Sequence, residues 1–446
     1  MILSTILILH GMSIIAADEK EFLSKTDMEF LTSLARAVLD ESRVRAGAKA
    51  GDAGPNVTGN TLIRPGGRHD YPAFWIRDYA MSLDMGMITL EEQRHALFLT
   101  AKHQPDTEIA LPTGSVLPPG SIPDHIGFGD VPIFFPGILD DYEKQGGPRW
   151  GKLPCLDDAF FFIHMAAIYA RQVSSTDFLK EVVNGKPLLQ RLEEAYSMPP
   201  AHPDTGIVYT TEESRGVNFG FFDTVINTGD LLFASVLKYQ ASIELAELLD
   251  KANQSEKARQ YREKAKSLKS VIPATFSSPS GFLKAATGIS AQPDVWGTAY
   301  AVYVSALPSD VEKSACEALA RALKEGTIAW RGQIRHVPTN AHFSTESPWE
   351  KCYAAKNTYQ NGAYWDTPTG WVCYAVAKVD FPLAQAIAKD YLAELREGDF
   401  RKGPDYGSPW ECMHHDNNHR QNPVYLASVS GPLAAFQRIH AEHRGK

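Results

Sequence analysis

LLFASVLKYQASIELAELLD (Leu231–Asp250) runs directly into KANQSEKARQYREKAKSLKS (Lys251–Ser270). In the first segment Leu232, Val236, Tyr239, Ile243 and Ala246 recur at i, i+4, i+7, i+11 and i+14, the spacing of one helix face. The second, Gln254–Ser270, keeps helical spacing but is crowded with Lys, Arg and Glu, as an outer, solvated helix would be. An apolar helix followed by a wet one is the unit from which the rest of the chain is read. Thr26-Asp-Met-Glu29 has the form of a capping box ahead of Leu31, Leu34 and Val38. Further helical patterns fall at 75–87, 90–103, 155–171, 183–196, 224–249, 254–271, 294–306, 309–325, 359–378, 381–396 and 423–441. Strand signals are weak. Some twelve helices of alternating character predict an all-α architecture in which six hairpins close into a double ring. Two long irregular stretches, 104–154 and 327–358, are rich in Pro, Gly and aromatics. Loops of that length are usually functional or disordered, and Ile133, Phe134, Phe135, Trp150 and Trp349 are too apolar for disorder. They are expected to fold over one end of the ring and shape a pocket.

The chain has 446 residues, 44% hydrophobic and 10% aromatic, enough for a large core, and no low-complexity linker divides it. One domain over 18–446 is expected. A net charge of −9 and a pI near 5.9, with no basic run, exclude a nucleic-acid scaffold. Met1–Ala17 is apolar and ends in small residues before Asp18-Glu19-Lys20, which reads as a secretory signal cleaved near Ala16 or Ala17. A buried N-terminal segment is the alternative. The first reading places the protein outside the cytoplasm, secreted or periplasmic, and the second inside it. No second apolar run of about 18 residues exists, so no integral membrane segment is expected. The five cysteines, Cys155, Cys316, Cys352, Cys373 and Cys412, form no CxxC pair, so neither a zinc site nor a disulfide framework is indicated. Free thiols are the simpler reading, with one bridge among the last three left open. Asn56-Val-Thr58 and Asn253-Gln-Ser255 fit the glycosylation sequon.

Three clusters pair acids with aromatics, the combination that sugar chemistry needs. Splitting a glycosidic bond takes one carboxyl to protonate the leaving oxygen and a second across the ring; in inverting enzymes they stand roughly 6.5–9.5 Å apart. The first cluster is Tyr71-Pro-Ala-Phe-Trp-Ile-Arg-Asp-Tyr-Ala80. Its Trp75-Ile76-Arg77-Asp78 is similar to the W-[TIL]-R-D signature of (α/α)6-barrel glycosidases, including glucoamylase-like enzymes and some exo-α-mannosidases. That resemblance implies that Arg77 and Asp78 hold hydroxyls of the terminal sugar beside Trp75; a helix-terminal ion pair is the plainer reading. The second, Tyr359-Gln-Asn-Gly-Ala-Tyr-Trp-Asp366, resembles the Y-Q-N-G-x-x-W segment lining the pocket of helical-barrel glycosidases. There Tyr359, Gln360, Asn361, Trp365 and Asp366 become substrate-binding candidates, against a tight Asn-Gly turn with core aromatics.

The third cluster is Ser408-Pro-Trp-Glu-Cys-Met-His-His-Asp-Asn-Asn-His419. In glucoamylase-like enzymes the catalytic base precedes the last inner helix, which the resemblance maps to Glu411, with Trp410 and His415 in the pocket wall. His414, His415, Asp416 and His419 invite a metal reading, but their spacing is not that of a helical ligand pair, and no metal or cofactor is expected. The acid partner in that family starts a long inner helix near mid-chain. Asp223, ahead of the 224–249 pattern, takes the place, although the family often has Glu there. An Asp at a helix N-terminus is stabilised as the anion, the wrong direction for an acid, unless burial among Phe219, Phe221 and Phe222 reverses it. Glu212, Glu213, Asp157 and Asp158 are rivals.

The leading reading is therefore a glycoside hydrolase of oligo- or polysaccharides, exo-acting and inverting, with a carbohydrate as its only implied partner. A sugar epimerase or polysaccharide lyase on the same toroid would use His336, His342, His414 or His415 for proton transfer. A carbohydrate-binding protein without catalysis keeps the fold and loses the reaction. A prenyl-diphosphate cyclase is weaker, because Leu156-Asp157-Asp158 is only a fragment of an Asp-rich motif.

Overall fold

Helices alternate strictly between two environments. In the computed structural model, which describes residues 21–444 apart from 52, 69–70, 136–144 and 148–149, twelve α-helices are found among the described residues. The outer set is α1 (Lys25–Ser42), α3 (Leu90–Lys102), α5 (Leu188–Ser197), α7 (Ser255–Phe276), α9 (Ser309–Lys324) and α11 (Phe381–Gly398). The inner set is α2 (Ile76–Ser82), α4 (Asp158–Gln172), α6 (Leu232–Lys251), α8 (Val295–Tyr303), α10 (Thr369–Ala377) and α12 (Ala427–Arg444). Each inner helix packs on the next, and α12 returns to α2, so the ring closes. The outer helices pack against this ring from outside, α1 on α12, α3 on α4, α7 on α6 and α11 on α10. The segment expected to be a signal, 1–17, lies outside the described residues.

Burial explains the alternation. α7 buries one stripe, Ala258, Tyr261, Ala265, Leu268 and Ile272, and leaves its Lys and Glu wet. α2 is buried at all of its positions, Arg77 and Asp78 included, because it has neighbours on every side. In α6 the ring of Phe233 is stacked between Phe219 (centroids 3.8 Å apart) and Tyr300 (5.1 Å). Truncating such a side chain to Ala costs about 3–5 kcal/mol.

Three readings of the sequence change. The cap of α1 is Ser24, whose Oγ accepts from the Asp27 N–H, and not Thr26; a complete capping box sits instead at Thr89 and Glu92 of α3. Residues 224–231 do not belong to α6. Gly229 takes φ 78° and Leu231 bridges Ala286, so the chain stays extended until Leu232. Residues 359–368 are not the start of α10 either: Tyr364–Trp365 is the central strand of a five-stranded antiparallel sheet with Ala329–Trp330, Gln333–Ile334, Trp410–His414 and His419–Pro423. Strands of two residues are too short to show an alternating pattern, which is why the sequence hides them.

The two long loops supply the rest of one face. From the first, His125–Gly127 pairs with Ala73–Trp75 and with Val131–Ile133. The second supplies the outer hairpin of the five-stranded sheet and the wholly buried Trp349. Phe134 and Phe135 pack with Leu111 and Leu117 in a small core of their own. All five cysteines are free thiols. Asn56 is buried, donating to the Val44 and Asn60 carbonyls, so the first sequon offers no room for a glycan. Among the described residues no helix is long and apolar enough to cross a membrane.

Candidate active site

The strand Ala73–Trp75 feeds straight into α2, which sets Trp75, Arg77 and Asp78 at one mouth of the ring. The backbone carbonyl of Asp124 accepts from the Ile76 N–H (3.0 Å), which brings the first long loop over the same spot. A cavity of about 350 Å³ opens there. Its walls include the aromatic rings of Tyr71, Trp75, Trp150, Phe221, Tyr359 and Tyr425, and its carboxylates are Asp78, Asp124, Asp223 and Glu411. Trp75 stacks on His125 (4.2 Å, 19°), and Tyr71 meets Trp75 edge-on at 4.8 Å.

Arg77 has its charge committed. Its Nε donates to Asp157 (2.9 Å), and its Nη2 reaches Asp158 (2.8 Å) and Asp124 (2.6 Å), all buried. Gly220 is required beside it, since a Cβ there would stand 1.9 Å from the Arg77 Nε. Burial works against the ionised form of Asp124, yet Arg77 and His125 hold its carboxyl well below the usual range. Burial pushes Asp158 well up, against Arg77 beside it, but neither Asp157 nor Asp158 lines the cavity, which removes both as rival acids. Glu212 and Glu213 are exposed outside the cavity.

The remaining three acids behave differently. Asp78 is pushed up to about 6 by burial, although the Tyr425 hydroxyl donates to its Oδ1 and Arg77 lies next to it. Glu411, on the strand Trp410–His414, accepts from the Tyr71 hydroxyl at Oε1 (2.9 Å) and from Asn422 Nδ2 at Oε2 (2.5 Å). Burial lifts it to about 8, with Asp78 and Asp223 adding repulsion against those two hydrogen bonds. Asp223 follows the short turn Gly220–Phe222 and does not cap α6, so the helix-terminus objection falls away. Burial raises it to about 6, and its Oδ1 has no hydrogen-bond partner. Gln360 braces the turn: its Oε1 accepts from the Thr224 N–H (2.8 Å) and its Nε2 donates to the Gly220 carbonyl (3.2 Å).

Of the candidate catalytic and substrate-binding residues, Trp75, Arg77, Asp78, Asp223, Tyr359 and Glu411 meet in this cavity, and the others do not line it. Gln360 stands behind Asp223. Asn361 ties Ser347 to the Ala354 carbonyl. Trp365 is fully buried against Phe221 and Trp296. Asp366 is buried with Gln333 and, nearby, Glu394, and its carboxyl is pushed well up by burial. Trp410 and His415 line a separate depression of about 240 Å³. Neighbours along a strand face opposite ways, so Glu411 in the cavity puts Trp410 outside it.

The histidines proposed for a lyase or epimerase are also elsewhere. His336 is buried, its Nε2 3.0 Å from the Phe221 carbonyl, and is pushed down to about 3 by burial. His342 pairs with Arg335, and His414 and His415 line the other depression. Among the described residues His125 is the histidine in the cavity wall. Two groups bring metal-ligand atoms within 4.8 Å of one another: His414, His415 and Asp416, two of them exposed, and Asp124, Cys155 and Asp158, where the Arg77 guanidinium already sits.

The sequence reading left Tyr71, Asp124, His125, Asn422 and Tyr425 without a role, whereas Trp150, expected to shape a pocket, and Phe221, expected to bury Asp223, both line the cavity. Tyr71 lay inside the quoted cluster and Tyr425 at the start of the last helical pattern; Asp124 sat in a loop with no motif.

No protein-family model matches the chain, and no curated protein sequence matches it. Solved structures do. The glucoamylase of Saccharomycopsis fibuligera superposes with a TM-score of 0.57 at 12% identity over 97% of this chain and 99% of its own. A mannosylglycerate hydrolase of family GH63 from Thermus thermophilus, in complex with glucose, gives 0.54 at 15% over 92% and 100%. A rhamnosidase from Klebsiella oxytoca with rhamnose bound gives 0.55 at 11% over 95% of this chain, which spans 65% of that enzyme's length. The chain shares the (α/α)6 toroid fold of these three enzymes.

Proposed function

We propose that the protein is a glycoside hydrolase that removes a terminal sugar from an oligo- or polysaccharide by a two-carboxyl, inverting mechanism. One observation carries the reading: Asp223 and Glu411 line the same aromatic-walled cavity, and both hold protons more tightly than ordinary carboxyls. An acid–base pair that works near neutral pH needs one proton between two groups, and this pair keeps one between about 6 and about 8.

Asp223 is the proton donor. It lines the cavity, and its Oδ1 is buried without a hydrogen-bond partner among the described residues. Glu411 is the base that activates water. Tyr71 and Asn422 donate to both of its oxygens, an arrangement that favours the anion and fixes the direction of its remaining lone pairs. At neutral pH the shared proton rests mainly on Glu411, so the assigned roles draw on the form of the pair in which that proton has passed to Asp223 and Glu411 is the anion. Asp78, oriented by Tyr425, accepts from sugar hydroxyls, and Trp75 and Tyr359 offer ring faces. A pocket with a wall supplied by the long first loop suits a chain end better than a chain interior. The glycosidase fold shared with a glucoamylase and a rhamnosidase is in keeping with this chemistry.

The test is a panel of α- and β-linked oligosaccharides followed by proton NMR of the first-formed anomer. Hydrolysis with inversion is expected. Initial retention would remove the mechanism, and no hydrolysis of any substrate would remove the activity. An aryl glycoside with a good leaving group should restore turnover to Asp223→Asn and leave Glu411→Gln inactive; the opposite outcome would exchange the two roles.

A further inference from the structure

Lys238 stands on α6 with its side chain turned away from the catalytic mouth. It is 7% exposed, and among the described residues no hydrogen bond or ion pair holds its ammonium. Its Nζ lies 5.1 Å from the centroid of the Tyr196 ring, and a second ammonium, that of Lys264 on α7, lies 5.1 Å from the same ring and 4.4 Å from Tyr261. Both lysines line a cavity of about 320 Å³ closed on one side by the loop 199–206. Glu193 is bound by Lys257 (2.9 Å) and also acts on Lys264, Asp230 is bound by His202 (2.7 Å), and Asp204, which lines the same cavity, is exposed.

An unpaired buried cation is costly, and a like charge next to it adds to the cost. Tyrosine faces offset a part of that, because a ring quadrupole attracts a cation. Burial, with Lys264 beside it, pushes Lys238 down to about 8, so it still carries its charge at neutral pH. Among the described residues no acid pairs with the Lys238 ammonium, although exposed Asp204 lines the same cavity. Thr205 and Ser267 also line it and offer hydroxyl donors to an oxyanion.

We propose that this cavity is an anion-binding site for a phosphate group, free or as a monoester on a small molecule, held by the ammonium groups of Lys238 and Lys264. The site lies on the α5–α6–α7 side of the barrel and shares no lining residue with the cavity of Asp223 and Glu411.

The experiment is lysine acetylation of the full chain, read peptide by peptide by mass spectrometry at constant ionic strength. The additions are inorganic phosphate, glucose 6-phosphate or glucose. With phosphate present at about 1 mM or above, acetylation of Lys238 should slow about tenfold, while the exposed Lys313 is unchanged. Glucose should protect nothing. Stronger protection by glucose 6-phosphate than by phosphate identifies the monoester as the ligand, and equal or weaker protection identifies the free ion. In parallel, phosphate should raise the Tm of the wild-type protein and not that of Lys238→Met, whose own Tm in phosphate-free buffer should be at least as high. Unchanged acetylation of Lys238, slowing shared equally by Lys313, or a phosphate-dependent Tm rise that survives in Lys238→Met would each overturn the site.

Discussion

The two ends of α2 carry an aspartate each, and their surroundings drive them in opposite directions. Asp78, in the first turn, is lifted to about 6 by burial. Asp84, just past the last turn, is opposed by the same burial, yet His164 (3.5 Å) and Arg171 hold it below the usual range. The difference extends to the neighbours. At the mouth, among the described residues, neither Glu411 nor Asp223 forms an ion pair; Arg77 lowers Asp223 only in part, being engaged by Asp124, Asp157 and Asp158. Beyond the other end of α2, Glu244 of α6 sits 2.7 Å from His164 of α4, and His164 is pushed up to about 10: burial acts against the imidazolium, but Glu244 and Asp84 outweigh it. Similar acids hold a proton in one place and form a structural clamp in the other. The position of the cations decides which.

Mutations should separate the two ends cleanly. Replacing Glu411 by Gln or Asp223 by Asn should lower kcat by about 10²–10⁴-fold, with the fold intact by circular dichroism. His164→Leu should do the reverse, leaving Glu244 buried without its cation at a cost of about 3–5 kcal/mol in urea unfolding, while kcat at a permissive temperature stays near wild type. A kcat loss in His164→Leu as large as that of Glu411→Gln would erase the distinction.

The pH dependence of stability sharpens it further. His164 binds its proton more tightly folded than unfolded, so its contribution is complete below about 6.5 and disappears as pH rises toward 10. Glu411 also has a raised folded value, so it costs the fold nothing below about 4.5, costs more as pH rises from there, and reaches its full cost above about 8. Glu411→Gln should therefore gain about 1–3 kcal/mol relative to wild type in unfolding above pH 8, and His164→Leu should lose its alkaline sensitivity.

The activity profile is the next test. A pair that must keep one proton predicts a bell-shaped kcat/KM with limbs near 6 and 8. The smallest effect is at Tyr71. Its hydroxyl lowers the proton affinity of Glu411, so Tyr71→Phe should move the alkaline limb upward by less than about one pH unit and reduce the rate about tenfold. A downward shift would mean that the Tyr71 bond stabilises the protonated acid.

Legibility in the sequence followed the range of the interactions. The alternation of α6 and α7 could be read from spacing and charge because a helix face is written within a few turns. Trp75, Asp78 and Glu411 stood beside aromatic partners in short motifs and could be picked out. Asp124 could not, since its meaning comes from Arg77, far away in the chain. The misplacement of Gln360, Asn361, Trp365 and Asp366 has the same origin. Their cluster does approach the site, but the strand Tyr364–Trp365 turns it inward, so Tyr359 reaches the cavity, Gln360 braces the turn before Asp223, Trp365 packs on Phe221, and Asn361 and Asp366 engage partners elsewhere.

By itself, then, the sequence determined the ring of paired helices and the presence of acids beside aromatics near its mouth, because periodicity and short motifs are local properties. The tertiary structure decided which acids keep a proton. That depends on the few ångströms between a carboxylate and a cation brought from elsewhere in the chain, and on which side of a strand a residue falls. Coulomb energy and strand pleating are fixed only when the chain has closed on itself.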